Sequence, residues 1–229
     1  MVSIMTETGV LSQNIKKQIA GNLLELSSVK GNLLSASGDR EIKSLYVTSC
    51  HPQEGKTTCA LSMAYALSNE AYEKVLLVDG NFQSPKIHSL FNISSDPGLS
   101  DLLVAKTAYD EAVRKTEYEN LDIIPIGSEL PNILDVLTSR EFNLELSSLK
   151  ETSDNDYVIF DGHSLFGTSD ASVVSRFFDG IILVVECEKT RWEVVQLAKE
   201  KLTKAGGNII GVVMNKRKYY IPKVLYGKD

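Results

Sequence analysis

The 229-residue chain lacks any run of the roughly 18 to 20 apolar residues that a membrane-spanning helix needs. Its longest strong candidate is "IILVV" at 181 to 185. The opening "MVSIMTETG" has neither the basic nor the apolar region of a secretory signal. The three cysteines, Cys50, Cys59 and Cys187, show no paired spacing. These shortages exclude a spanning helix and a disulfide framework, and they lead us to expect the cytoplasm. His51, His88 and His163 lack the spacing of a metal site. Lys and Arg number 24 against 30 Asp and Glu, a net charge of −6, which argues against a nucleic-acid partner even though "NKRKYY" is locally basic. No internal repeat or low-complexity segment occurs, and a 43% hydrophobic, 24% charged composition excludes disorder over most of the length.

What is present is an alternation. Short β-branched apolar runs at 44–49, 74–79, 121–127, 157–162, 180–187 and 208–215 are separated by longer helical patterns at 55–73, 131–151, 167–179 and 190–207. Near-continuous apolar strands are buried on both faces, hence parallel and covered by helices. The expected fold is a single α/β domain, doubly wound around a mostly parallel sheet. Three parts follow: an N-terminal helix and linker (1–42), the α/β body (43–218) and a short tyrosine-containing tail (219–229). Leu11, Ile15, Ile19 and Leu23 form a narrow apolar stripe on the first helix, and the polar stretch 28–41 links it to the body. Trp192, at a helix start, is expected to pack against the sheet, and Cys50 and Cys59 to be small packing residues.

The stretch "SCHPQEGKTT" (49–58) carries the chemistry. Gly55, Lys56 and Thr57 fill the last three places of a G-x-x-x-x-G-K-[ST] phosphate loop, while Cys50 stands where its first glycine belongs. A β-phosphate needs backbone N–H groups at a helix N-terminus, a lysine for its oxygens and a hydroxyl for magnesium. Gly55, Lys56, Thr57 and Thr58 supply these between a strand and a helix, and the missing glycine bears on backbone geometry alone. Two strands end in aspartate, Asp79 in "VLLVDGN" and Asp161 in "VIFDG". Strand carboxyl ends open on one crevice, so Lys56, Asp79 and Asp161 are expected to face the same phosphates. Aspartates as turn formers remain the alternative.

These residues, with "GLSDLL" (98–103), "PIGSELPNILDVLTS" (125–139), "DYVIFDGHSLFGTSDA" (156–171) and "GVVMNKRKYYIP" (211–222), give the chain a resemblance to the bacterial tyrosine kinases of capsule and exopolysaccharide production, relatives of the MinD/ParA ATPases with a deviant P-loop. The resemblance covers about residues 14 to 226. It implies a P-loop NTPase-like fold binding ATP or ADP with Mg2+. The nucleotide set is then Gln53, Glu54, Gly55, Lys56, Thr57 and Thr58, with Asn215 at the adenine. Catalytic roles fall to Lys56, Asp79 as acceptor of the tyrosine proton, and Asp161, with Thr57, Asp79 and Asp161 near the metal. Tyr219, Tyr220 and Tyr226 become phosphoacceptor candidates, although the first two could instead anchor the last strand. The implied partners are a protein tyrosine, its own in trans, and a membrane-embedded polysaccharide co-polymerase that recruits the protein to the inner face of the membrane.

The chain also departs from that pattern. The usual D-x-D is here Asp79, Gly80, Asn81, and the usual Thr-Pro-Pro is Gly162, His163, Ser164. The E-x-x-R-x-x-R assembly motif falls on Asn14, Lys17 and Ala20, from which we expect a monomer or dimer. Besides an active kinase, two readings stay open: a catalytically impaired ATP-binding scaffold, and a MinD/ParA-type switch. The switch is disfavoured by His51 and its neighbours, which bring no second lysine to the start of the loop.

Overall fold

The apolar runs are rich in Val, Ile, Leu and aromatic residues, which pack well on a pleated surface, and each forms a strand. The computed structural model describes residues 8–17, 19, 31, 33, 35, 41–130, 133–151, 154–167 and 171–218. Among them lie β1 (Ser44–Ser49), β2 (Val75–Asp79), β3 (Arg114–Lys115), β4 (Leu121–Ile124), β5 (Tyr157–Ser164), β6 (Gly180–Glu186) and β7 (Ile209–Asn215). They make one sheet in the order β3-β4-β2-β5-β1-β6-β7. All neighbours are parallel except β3 and β4, whose short pairing closes one edge. The fold is doubly wound α/β, as the alternation predicts, and P-loop NTPase-like, as the resemblance implies.

Helices α1 (Lys56–Tyr65), α2 (Ile87–Phe91), α3 (Leu99–Leu103), α4 (Tyr109–Ala112), α5 (Ile133–Leu137), α6 (Arg140–Glu151), α7 (Ala171–Ser175) and α8 (Trp192–Lys204) complete the described layers. One core gathers Tyr46, Leu76, Phe160 and Leu183 of the strands with Phe142 and Leu146 of α6 and Ala198 and Leu202 of α8. The core on the other face joins Leu45, Leu77, Ile159 and Val184 to Leu61 of α1, Phe91 of α2, and Leu11, Ile19 and Leu33. Leu11 and Ile19 are thus buried stripe residues, Ile15 packs partly against the same core, and Leu23 lies outside the described residues. Gly31, Leu33 and Ser35, read from sequence as part of a polar linker, are helical.

Several boundaries differ from the periodicity. The first crossover helix changes to a π-helical turn at Ala66–Glu70. The pattern at 131–151 divides into α5 and α6, because Ser139 Oγ accepts the Phe142 N–H at 3.1 Å and starts a new helix. Strand β5 does not end at Asp161 but runs on to Ser164, passing a register shift against β1. Trp192 is 68% exposed, not packed on the sheet: it opens α8, whose Val194, Val195, Ala198 and Leu202 turn inward instead.

Gly162 explains one departure from the family pattern. A Cβ there would overlap the Tyr46 ring, which is fully buried and whose hydroxyl accepts the His163 N–H at 3.2 Å. The large residue in β1 therefore demands the small one in β5. We expect Gly162→Ala to destabilise the protein by about 1–3 kcal/mol through overpacking, read as a lower urea midpoint with an unchanged slope; an unchanged midpoint would show that the Tyr46 ring gives way freely.

Candidate active site

β1 stands at the point where strand order reverses, with β5 on one side and β6 on the other, so the crevice at its carboxyl end is where this topology binds ligands. The phosphate loop fills that position. Gly55 caps α1 with φ 99°, a backbone angle that requires glycine, and a Cβ there would also displace the amide nitrogen of Asn215. Gln53 takes φ 66°. Cys50 is not among the positive-φ residues, so the missing first glycine leaves no left-handed position unfilled; Gln53 carries that turn instead. The Cys50 thiol is fully buried, and burial, followed by the charge of Glu54, pushes its pKa up to about 12, which makes it a packing residue at neutral pH. Cys59, one turn into α1, is likewise pushed up to about 12 by burial.

Lys56 and Thr57 are the first two residues of α1, so Lys56, Thr57 and Thr58 stand at the positive end of the helix macrodipole. The Thr57 hydroxyl donates to Asp161 Oδ2 at 2.6 Å. Asp161 is fully buried, and its Oδ1 has no hydrogen-bond partner among the described residues. Asp79, the last residue of β2, pairs in register with Asp161, which sets two carboxylates on adjacent strands. Asp79 Oδ2 accepts the N–H groups of Lys86 (3.0 Å) and Ile87 (2.9 Å), and its Oδ1 accepts that of Asn81 (3.3 Å), so Asp79 also caps α2.

Burial sets the electrostatics of the pair. The Asp161 pKa is raised to about 7, first by desolvation and then by Asp79, against the pull of Lys56, the Thr57 hydroxyl and Lys86. Asp79 is raised too, again mainly by burial, with its three N–H donors and His88 opposing. Lys86 carries no signal in the sequence: nothing in a lone lysine seven residues after Asp79 indicates that its backbone and charge reach both carboxylates. Asn81 is buried and donates its side-chain amide to the Ser84 carbonyl at 3.0 Å. His163 stacks on Phe82 with ring centroids 6.1 Å apart. Asn215, on β7, donates to the Glu54 carbonyl at 2.9 Å. Tyr219, Tyr220, Tyr226 and Ala20 lie outside the described residues, as do Pro131 and Asn132.

The donor set fits a nucleotide and a divalent cation: a helix N-terminus for phosphate, a hydroxyl beside a carboxylate, and one buried carboxylate oxygen still unsatisfied. No helix of the described residues is long and apolar enough to cross a membrane.

Comparison with known proteins gives a consistent result. A family model described as an AAA domain matches residues 53–204. The chain is 32% identical over 197 residues to the tyrosine-protein kinase YwqD of Bacillus subtilis (strain 168), covering 86% of this chain and 82% of YwqD. It superposes on the VpsO kinase domain with a TM-score of 0.79 at 30% identity, covering 90% of this chain and 98% of that one. MinD from Pyrococcus horikoshii complexed with Mg-ADP shares the fold, with a TM-score of 0.64 at 23% identity over 80% of this chain and 75% of MinD.

A buried carboxyl with a raised pKa weakens the metal-free fold as pH rises. The unfolded carboxyl ionises from about pH 4, whereas the folded one keeps its proton until about pH 7, so stability falls across that window and then levels. Asp161→Asn removes this penalty, on the order of 4 kcal/mol at full ionisation. We expect the variant to melt higher than the natural protein without nucleotide at pH 8, with little difference at pH 4; equal shifts at both pH values would refute the assignment.

Proposed function

The chain belongs to the family of bacterial tyrosine kinases of capsule and exopolysaccharide production, and from that premise we propose that it is an ATP-dependent protein-tyrosine kinase domain whose autophosphorylation regulates polysaccharide synthesis or export. The observation that carries this reading is the convergence of Lys56, Thr57, Asp79 and Asp161 at the carboxyl end of the sheet, with one Asp161 oxygen buried and unsatisfied. The names of YwqD and VpsO as kinases and the Mg-ADP of MinD support it.

In this reading the N–H groups at the start of α1 and the Lys56 ammonium bind the β- and γ-phosphates. Thr57, Asp161 and Asp79 are the residues that would hold magnesium, which when bound would neutralise charge on the phosphate oxygens. Asp79 accepts the tyrosine proton, a task that a buried carboxyl with a raised pKa suits better than an exposed one. With its Nδ2 committed to Glu54, Asn215 offers Oδ1 to the adenine amino group. Tyr219, Tyr220 and Tyr226 receive phosphate from a neighbouring copy. A membrane-embedded co-polymerase recruits the domain to the inner face of the membrane and activates it, and the isolated protein is a monomer or dimer because Asn14, Lys17 and Ala20 carry so little of the assembly motif.

A second reading, an ATP-binding scaffold with impaired catalysis, is favoured by Asn81. The 81–84 turn is built around an amide donor, so the charge usual at this position has been replaced by a group with a structural role.

The two readings separate when the purified protein is given ATP, magnesium and the cytoplasmic segment of a polysaccharide co-polymerase, and phosphotyrosine is measured by mass spectrometry. We expect slow labelling, its loss in Lys56→Ala together with tight nucleotide binding, and a drop of about 10²- to 10⁴-fold in Asp79→Asn. Asn81→Asp should label faster while losing about 1 kcal/mol of stability with the Ser84 bond. If both the natural protein and Asn81→Asp bind ATP but label no tyrosine, the scaffold reading replaces the kinase.

A further inference from the structure

The phosphate loop is gripped from outside by residues at the ends of β6 and β7. Lys216, immediately after β7, donates from Nζ to the Gln53 carbonyl at 2.6 Å and to Glu186 Oε2 at 3.2 Å. Asn215 Nδ2 holds the next carbonyl, that of Glu54. The Glu54 carboxylate, only 3% exposed, accepts the Thr190 hydroxyl on one oxygen and the His51 N–H, at 3.0 Å, on the other. Thr190 Oγ1 in turn accepts the Glu186 N–H at 3.2 Å. Loop and strand ends thus form one closed set of bonds between segments more than 130 positions apart in sequence.

The consequence follows from peptide geometry. In a planar trans peptide the C=O and N–H point in opposite directions. Donors that hold the Gln53 and Glu54 carbonyls from behind therefore turn the N–H groups of Glu54 and Gly55 forward, toward the mouth of α1. Gln53 at φ 66° and Gly55 at φ 99° bracket these two peptides. Successive N–H groups turned inward in such a loop make an anion-binding nest, and a non-glycine residue at positive φ persists only where its surroundings fix it.

We propose that Thr190, Glu186 and Lys216 are positioning residues that lock the Gln53–Glu54 and Glu54–Gly55 peptides in the anion-accepting orientation, so that the phosphate cradle is formed before nucleotide arrives. This rests on the nucleotide-binding reading of the loop. Without Lys216 the Gln53–Glu54 peptide is free to flip, presenting a carbonyl oxygen to the phosphate in place of an N–H. Without the Thr190 hydroxyl, the Glu54 carboxylate loses the contact that ties it to the end of β6.

The test is calorimetric titration of the full chain with Mg-ADP, alongside its melting temperature without nucleotide, for the natural protein, Lys56→Ala, Thr190→Val, Thr190→Ser and Lys216→Asn. Lys216 is 44% exposed and sits at φ 57°, a conformation asparagine tolerates, so that variant folds even if a change at half-buried Thr190 does not. We expect Thr190→Val and Lys216→Asn each to weaken Mg-ADP by about 5- to 30-fold, the scale of one polar or charged hydrogen bond, with little change in nucleotide-free melting in Lys216→Asn and near-natural affinity in Thr190→Ser. Unchanged affinity in Lys216→Asn and Thr190→Val, while Lys56→Ala loses binding, overturns the proposal and leaves the nucleotide reading standing. An equal loss in Thr190→Ser, or a fall in the nucleotide-free melting of Lys216→Asn that matches its lost affinity, assigns these residues a merely structural role and overturns it as well. A natural protein that binds no Mg-ADP overturns the reading and the proposal together.

Discussion

Two carboxylates buried on neighbouring strands, Asp79 on β2 and Asp161 on β5, set the terms for the rest of the crevice. Left alone, each would expel the other's charge and take up a proton. The fold surrounds them with countermeasures: three backbone N–H donors and the start of α2 for Asp79, and the Thr57 hydroxyl and the Lys56 and Lys86 charges for Asp161. These are incomplete. Asp161 keeps a raised pKa and an oxygen unsatisfied among the described residues, which is the state expected of a group whose last partner is a ligand.

The departures from the family pattern become understandable in the same physical terms. Gly80 is packed so closely that a Cβ would overlap the Phe160 ring, just as Gly162 is confined by Tyr46, so the backbone beside both aspartates is fixed by aromatic residues of β1 and β5. Asn81 closes a turn as a donor, which a carboxylate in the same place could not do. Cys50 replaces a glycine whose conformational freedom this loop does not use, because Gln53 and Gly55 carry its two left-handed positions.

Much of the architecture was legible in the sequence because parallel strands buried on both faces leave uninterrupted apolar runs, and these alternate with helical patterns. The strand-to-helix setting of Gly55, Lys56 and Thr57 was legible for the same reason, as was the approach of Asp79 and Asp161, which pair on adjacent strands although β5 runs three residues beyond Asp161. What escaped were features that periodicity does not encode. β3 is two residues long and antiparallel, α2 depends on a cap supplied from β2, and the break between α5 and α6 turns on a single serine. Trp192 misled because its position at a helix start says nothing about which way the first turn faces. Thr190 and Lys216 were invisible, since their partners in the phosphate loop lie more than 130 positions away in sequence, and the bonds run to the Gln53 carbonyl and to the side chain of Glu54, a position that the loop pattern leaves unspecified.

If Asp161 is a carboxyl kept partly protonated by burial until a cation arrives, binding Mg-ADP must expel its proton. Calorimetric titration in buffers of different ionisation enthalpy measures that release directly. With Asp161 near 7, release should approach about one proton per site near pH 6 and vanish above about pH 8. Tight Mg-ADP binding with no proton release at any pH between 5.5 and 8 would contradict the assignment of Asp161 as the waiting metal ligand.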